Sequence, residues 1–386
     1  GVYSAMEALI DDKYANNPNE RVLDSVIGKR NAGAPVVGMY CGYAPVELIR
    51  AAGAVPVFLC AFSRKTIPEA ETVLPSNLCP LIKSSFGFIK TDTCPFYALS
   101  GAIIGETTCD GKKKMFELIR HIKPTHIMDL PQLPDEEEAL GNWTVMVHKL
   151  KAFLERTFGA EIADARIESE IKETNDKNRI MNDFFSYAAH SPPLISWSEM
   201  YEVIGLEMVS NSDEMRLLLK GIMIKLRERL RKGEHSGNGH SPRVLVSGCP
   251  VGGDAAKIFR VIEGAGGVVV AMEACSGMKG YSIEIEEGTG DPVAALARAY
   301  LKIPRSCMTP NQRRFDAIDA MIGRFRPDAV IDVILQACHS YNIESYRIEQ
   351  HVRSKHRLPF LKIETDFTES DVGQIRTRVG ALFENL

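Results

Sequence analysis

The sequence has no long hydrophobic run and almost no excess of charge. None of its apolar stretches approaches the roughly 20 residues that a membrane-spanning helix needs. Lys and Arg number 46 against 50 Asp and Glu, a formal charge of −4, which gives no general attraction to nucleic acid or to an anionic membrane. Residues 1–20 carry acids and amides where a secretory signal would be apolar, and this predicts a cytoplasmic protein.

Close cysteine pairs are also missing, although the chain contains nine cysteines. Structural zinc sites usually show CxxC pairs, so their absence argues against such a site. An odd number of scattered cysteines in a reducing compartment argues against a disulfide framework. The remaining interpretations are soft-metal ligation, redox chemistry, or simple burial of a small apolar side chain.

Strand-like and helix-like segments alternate in both halves of the chain. In the first half, apolar runs at 35–41, 55–60, 101–108 and 125–130 alternate with helical patterns, which is typical of a doubly wound parallel sheet. The second half repeats the pattern with RVLVSGC, GVVVAMEAC, AVIDVILQAC and PFLKIETDF. Between the halves a 3.6-residue apolar period replaces the strand signal, and it predicts helices, one of them over 212–232.

These patterns predict an α/β fold with two doubly wound parallel-sheet domains and a helical bridging region. The expected units are an N-terminal α/β domain (1–134), a helical region with its linker (135–240) and a C-terminal α/β domain (241–386). The boundary before the last unit is the stretch 233–242, GEHSGNGHSP, which has no apolar anchor.

Most of the cysteines follow strand-like runs. Because ligands bind at the carboxyl ends of parallel strands, these thiols are expected to line one cleft between the domains. Others precede helix-like stretches, where the helix dipole should lower a thiol pKa. The candidate metal ligands are Cys41, Cys79, Cys94, Cys109, Cys249, Cys275 and Cys338, whereas Cys60 and Cys307 are expected to be core or loop thiols. Gly252 and Gly253 would let the backbone approach a bulky inorganic group.

Nearly the whole chain resembles the 2-hydroxyacyl-CoA dehydratase and benzoyl-CoA reductase superfamily, and most closely its double-cubane cluster branch. The residues that carry the resemblance include YCGYAPVELIRAAGAVPVFLC, LPSNLCPLIKSSFGF, GETTCDGKKKMFELI, SGCPVGGDAAK, DVILQACHSYNIES and IETDFTESDVGQIRTRV. The resemblance implies flavodoxin-like domains with an oxygen-sensitive iron-sulfur cluster between them. By motif, the ligands of a single [4Fe-4S] cluster fall on Cys79, Cys109 and Cys338. A double cubane, [8Fe-9S], needs about six thiolates, and Cys41, Cys94, Cys249 and Cys275 compete for the other three places.

The resemblance also implies a function and a partner. A dimeric iron-sulfur ATPase would reduce this protein, which would be a homodimeric oxidoreductase passing low-potential electrons to a small molecule. The alternatives are a dehydratase or acyl-CoA reductase subunit with one [4Fe-4S] cluster, and an electron relay without a substrate. The chain is not expected to be the ATPase, because GETTCDGKK at 105–113 departs from the Walker A spacing and lacks its Ser or Thr.

Two titratable residues are candidate proton donors. Glu47 follows Cys41 on the next predicted helix, and His339 is adjacent to Cys338. Each also has a structural interpretation, as a helix N-terminal acid for Glu47 and as a residue orienting the ligand for His339. The lysines at 112–114 are expected to form a solvated helix face, with a docking patch for the reductase as the alternative.

Overall fold

Parallel β-strands alternate with helices in both halves of the chain, in a computed structural model that describes residues 18–386. The strands are β1 Val36–Met39, β2 Val55–Phe58, β3 Ala102–Glu106, β4 Thr125–Met128, β5 Arg243–Gly248, β6 Val268–Glu273, β7 Ala329–Leu335 and β8 Phe360–Thr365. The helices of the first half are α1 Pro18–Asn31, α2 Val46–Ala51, α3 Ile67–Ala70, α4 Pro80–Lys90, α5 Pro95–Leu99 and α6 Asp110–Ile119. The middle helices are α7 Ala139–Phe158, α8 Asp164–Phe185, α9 Trp197–Glu207 and α10 Ser212–Lys232. The last helices are α11 Lys257–Gly264, α12 Pro292–Leu301, α13 Gln312–Phe325, α14 His339–His351 and α15 Val372–Phe383.

The strands form two four-stranded parallel sheets. Their orders are β2-β1-β3-β4 and β6-β5-β7-β8, so the second sheet repeats the first. This order matches the start of the flavodoxin-like arrangement, in which the chain crosses over once at the first strand. The predicted α/β fold with two parallel-sheet domains is confirmed, and every predicted strand is present with slightly shorter ends.

The strands form because short β-branched runs can be buried on both faces of a parallel sheet. All seven residues of β7 are buried, and so are all six of β6. Helices cover both faces of each sheet, and only side chains near the strand ends can reach a shared cleft.

The helical middle follows the predicted period. The helix expected over 212–232 has those bounds, begins with a capping box between Asn211 and Glu214, and ends at Gly233 in the left-handed conformation. The stretch 233–242 contains neither helix nor strand.

Two hydrophobic cores hold the chain together. One spans both sheets, and the other joins α7 to residues of α12 and its flanking segments. Part of the C-terminal half therefore packs with the N-terminal half, and the proposed boundaries at 134 and 240 stay a prediction.

The expectation for residues 1–20 concerns mainly residues outside the described range. No helix within residues 18–386 is long and apolar enough to cross a membrane.

Candidate thiol-lined metal centre

Six cysteines follow strand ends on both sheets. Each comes one to three residues after its strand: Cys41 after β1, Cys60 after β2, Cys109 after β3, Cys249 after β5, Cys275 after β6 and Cys338 after β7. Since parallel strands end at one edge of a sheet, the two sheets bring their thiols to their carboxyl edges. All nine cysteines are free thiols.

Four cysteines occupy helix N-cap positions. They are Cys79 before α4, Cys94 before α5, Cys109 before α6 and Cys338 before α14. Backbone N–H groups of the following helix act to lower the pKa of Cys79, Cys94 and Cys338, the direction expected at a helix N-terminus.

One group of interacting thiols contains cysteines from both halves of the chain. Cys249 and Cys338 of the second sheet are hydrogen-bonded to each other, and both thiols interact with Cys79 of the first half. Cys79 also interacts with Cys109, which is exposed to solvent. The backbone N–H of Leu335 donates to the Cys249 sulfur at 3.3 Å. Thiols distant in sequence therefore meet at one place.

A buried lysine lies beside a second pair of thiols. The Lys112 ammonium is 2.8 Å from the Cys41 sulfur and 3.9 Å from that of Cys60. It also interacts electrostatically with Cys109 and Cys338, so it links this pair to the first group. Lys112 is buried, and the expectation that it lies on a solvated helix face is wrong. The reason is that α6 packs this face against the first sheet, which the amphipathic pattern alone did not reveal.

A second buried cation, Arg305, contacts Cys275, the strand-end thiol not yet described. The Arg305 guanidinium donates to the Cys275 sulfur at 2.7 Å, lies over the Tyr43 ring, and interacts electrostatically with Cys41. Cys307 lies beside the Tyr43 hydroxyl at 3.9 Å and packs against the second core, as expected for a core or loop thiol.

Cys94 has a different set of neighbours. Its sulfur accepts from the Tyr97 N–H at 3.3 Å, which caps α5, and its electrostatic neighbours are Lys123 and Tyr40. Neither the Lys112 ammonium nor the Arg305 guanidinium is among the groups that shift its pKa. The neighbours of Cys94 therefore differ from those of the other six candidate ligands.

Burial dominates the protonation of most of these thiols. It raises the pKa of Cys41 and of Cys79 to about 12, and it also raises the pKa of Cys94. The expected lowering by a helix N-terminus is therefore wrong for Cys79 and Cys94, because desolvation outweighs the amide hydrogen bonds. Cys338 differs, since the hydrogen bond from Cys249 lowers its pKa.

The spacing of the sulfurs limits which kind of metal group they could bind. Among the described residues no three cysteine sulfurs lie within 4.8 Å of one another. Thiolates on one tetrahedral zinc, with bonds of about 2.3 Å, are only about 4 Å apart. A polynuclear iron-sulfur group binds each thiolate through a different iron and therefore needs wider spacing. No three thiols of the described residues are therefore close enough together to bind one zinc ion.

Glu106, at the end of β3, was not expected from the sequence. Its side chain is fully buried, and Oε1 accepts from the N–H groups of Tyr43 and Ala44, both at 2.8 Å. Its Oε2 has no hydrogen-bond partner among the described residues. Burial raises the pKa of Glu106 to about 7, against the opposing effects of those amides and of Arg305 and Lys112. A group that titrates near neutrality suits general acid–base catalysis. The sequence signal was an acid ending an apolar strand three residues before a cysteine.

The two predicted proton donors lie in different surroundings. Glu47 is fully buried, and its Oε2 accepts from the Tyr300 hydroxyl at 2.9 Å. Burial raises its pKa, and its other neighbours include Thr174 and Arg50, so the structure surrounds it with helical residues and not with thiols. His339 is exposed at the start of α14. A proton-donor role for either residue stays a prediction.

The glycines at 252 and 253 make close contacts with this chain itself. A Cβ on Gly252 would lie 2.4 Å from the Tyr201 hydroxyl, and one on Gly253 would lie 2.4 Å from the Phe62 carbonyl oxygen. Gly253 also has φ +47°, a conformation that glycine adopts with little cost. These contacts pack the loop after Cys249 against α9 and against the segment that carries Phe62. The predicted contact of the two glycines with a cofactor stays a prediction.

A buried ionic network supports the strand ends of the second sheet. Arg314 is fully buried and contacts Glu273 at 3.1 Å and Glu344 at 2.5 Å, while Lys279 contacts Glu273 at 2.5 Å. Burial would raise the pKa of Glu273, but Arg314 and Lys279 hold it below its usual range. Since Glu273 ends β6, the network fixes the loop that carries Cys275.

The fold and site together define a class: two-domain parallel α/β proteins with cysteine thiols gathered from the strand ends of both sheets. The sequence profile of the family described as 2-hydroxyglutaryl-CoA dehydratase, D-component, matches residues 41–386. The chain belongs to this family, and with it to the 2-hydroxyacyl-CoA dehydratase and benzoyl-CoA reductase superfamily.

Curated relatives agree with this assignment. The chain is 42% identical to Escherichia coli YjiM, provisionally named a dehydratase subunit, with 94% of each chain covered. It is 22% identical to the lactoyl-CoA dehydratase subunit beta of Anaerotignum propionicum, covering 99% of this chain and 100% of that one. It is 19% identical to one of the subunits of benzoyl-CoA reductase from Thauera aromatica, covering 89% of each. These relatives are named as subunits of dehydratases and of a reductase, so the family is one of enzyme subunits.

Proposed function

We propose that this protein is the catalytic component of an ATP-dependent low-potential reductase and carries a double-cubane [8Fe-9S] cluster. The observation that supports this most strongly is the meeting of thiols from both sheets. Six of the seven candidate ligands are connected, directly or through the Lys112 ammonium and the Arg305 guanidinium. Cys60 also lies 3.9 Å from the Lys112 ammonium, and it is kept as a core or loop thiol, as the sequence predicts.

The proposed ligands are Cys41, Cys79, Cys109, Cys249, Cys275 and Cys338, which is the number that a double cubane needs. Cys94 is left out because its contacts belong to α5 and not to the cationic pair.

The charges around these thiols fit an anionic group. Lys112 is buried and, within residues 18–386, makes no ion pair with a carboxylate. Its sulfur neighbour Cys41 is protonated at neutral pH, because burial raises the pKa of that thiol to about 12. A buried cation is costly without an anion, and thiolates bound to a cluster would provide one. When bound, the cluster would supply electrons of low potential.

Glu106 is the proposed proton donor. Tyr43 and Ala44 hold Oε1 through their N–H groups, so Oε2 is the atom that carries the proton. Its environment, with Lys112 and Arg305 nearby, keeps the carboxyl group near its titration point at neutral pH.

The rest of the proposal follows the family resemblance. A dimeric iron-sulfur ATPase reduces the protein, the substrate is a small molecule, and the protein is a homodimer that works anaerobically. Nine unpaired thiols support a cytoplasmic location, where disulfides rarely persist.

A second function is a subunit of a 2-hydroxyacyl-CoA dehydratase with one [4Fe-4S] cluster. The names of the relatives favour it, since two of the three described above are named as dehydratase subunits. In that case Cys79, Cys109 and Cys338 would hold the cluster, while Cys41 and Cys275 would be unliganded thiols.

Iron and sulfide counting on anaerobically purified protein separates the two functions. About eight irons per chain support the double cubane, and about four support the dehydratase type. In the double-cubane protein Cys41→Ala and Cys275→Ala should each lose much of the iron, whereas the matched control Cys94→Ala should keep it. Full iron in both variants, or loss in the control alone, would overturn the proposed ligand set.

A further inference from the structure

A separate group of ligand-type side chains lies at the far end of α14. Oδ1 of Asp319 is 2.6 Å from Nε2 of His351 and 2.5 Å from Nε2 of His356. The three ligand atoms lie within 4.8 Å of one another. The proposed reductase function uses none of these residues.

The local backbone brings the two histidines together. Helix α14 ends at His351 and continues as one π-helical turn over Val352–His356, which Arg357 ends in the left-handed conformation. A π turn pairs residues five apart, and such turns occur frequently at functional sites. His351 and His356 therefore lie on one face, opposite Asp319 of α13.

Packing holds this arrangement in place and leaves it open to an ion. The ring of His351 contacts that of Phe315 edge-on, with centroids 5.0 Å apart. The three side chains are 18–19% exposed, so they are ordered by their neighbours but reachable from solvent.

We propose that Asp319, His351 and His356 bind a divalent zinc ion. Two imidazole nitrogens and one carboxylate oxygen are the donor set of open zinc sites, in which water completes the tetrahedron. At present each Nε2 must carry the hydrogen that the carboxylate oxygen accepts. On zinc binding that proton moves to Nδ1 or to solvent, and each Nε2 lone pair binds the metal.

The site is independent of the thiol-lined centre. Cys338 caps the start of α14, and a helix of 13 residues is about 20 Å long. Zinc would therefore fasten the end of the helix that begins at a proposed cluster ligand.

Lys355 provides a test of the zinc site, because its ammonium would compete with the metal. The Lys355 ammonium lies 2.7 Å from Oδ2 of Asp319 and competes with a metal for the carboxylate. If Asp319 and the two histidines only form hydrogen bonds and ion pairs, replacing Lys355 should leave zinc binding unchanged. If it is a zinc site, Lys355→Met should bind zinc several-fold more tightly, by an estimated factor of about three to ten.

The test uses anaerobically purified protein with its cofactor in place, dialysed against zinc chloride. We expect one additional zinc per chain, about 2.0–2.1 Å from nitrogen or oxygen in X-ray absorption at the zinc edge. His351→Gln and Asp319→Asn should each weaken binding by more than about tenfold, whereas the control His148→Gln, on the exposed face of α7, should not.

Two results would overturn the site. One is failure to retain zinc with far-UV circular dichroism unchanged, and the other is zinc bound to sulfur at about 2.3 Å. Thermal unfolding of each variant, followed without zinc, shows whether a lost site reflects a lost fold.

Discussion

Replacing Glu106 with glutamine tests the candidate site most directly, because the substitution keeps the shape of the side chain and removes one titrating group. The amide oxygen can still accept from the N–H groups of Tyr43 and Ala44, as Oε1 does now. The amide nitrogen takes the place of Oε2, which has no partner among the described residues.

The expected size of the effect follows from the shifted pKa. Burial raises the pKa of Glu106 from 4.5 to about 7. A carboxyl group whose pKa is raised by folding gives stability that is fully present below the unfolded pKa and is lost as the pH rises through the folded pKa. At 1.36 kcal/mol per unit, the wild-type chain should lose about 2.5 kcal/mol through this group between about pH 5 and about pH 8, and E106Q should not.

Urea unfolding of the cluster-free, reduced protein at both pH values measures this difference. Subtracting the free energy of unfolding of the wild type from that of E106Q cancels the other titrating groups. Glu202→Gln is a matched control, because burial and the neighbouring Glu199 raise the pKa of Glu202 to about 7 as well. Both variants should gain stability at high pH, but only E106Q should slow substrate reduction. A gain for E106Q that does not change with pH would refute the reasoning.

Three further substitutions test other parts of the structure. Lys112→Met should lower the iron content, because it removes the buried cation that lies beside the Cys41 sulfur; unchanged iron would contradict the proposed counter-charge. Arg314→Met should cost about 3–5 kcal/mol in urea unfolding, since it leaves buried carboxylates unpaired, and a cost below about 1 kcal/mol would show that the network is dispensable. Gly253→Ala should cost at least about 1–3 kcal/mol, because its Cβ would lie 2.4 Å from the Phe62 carbonyl oxygen; wild-type stability would show that this loop can move.

The strand-end thiols show how much of the candidate site could be predicted from the sequence. Each predicted strand was recognisable as a short apolar run, and the cysteines that follow six of the eight strands were visible beside those runs. Parallel topology then places such residues at one edge of a sheet, so a thiol-lined cleft could be predicted without coordinates. The different neighbours of Cys94 could not be predicted in this way, because they depend on how α5 packs in the folded chain.

The sequence by itself determined the two repeated sheets and the helical middle, because strand and helix periods are local properties of short segments. Its motifs determined the family. Tertiary structure alone decided the burial of Lys112 against Cys41, 71 residues away, the raised pKa of Glu106, and the meeting of Asp319 with two histidines more than 30 residues later. The physical reason is that desolvation and electrostatic coupling depend on which distant segments pack together, and no local pattern records that.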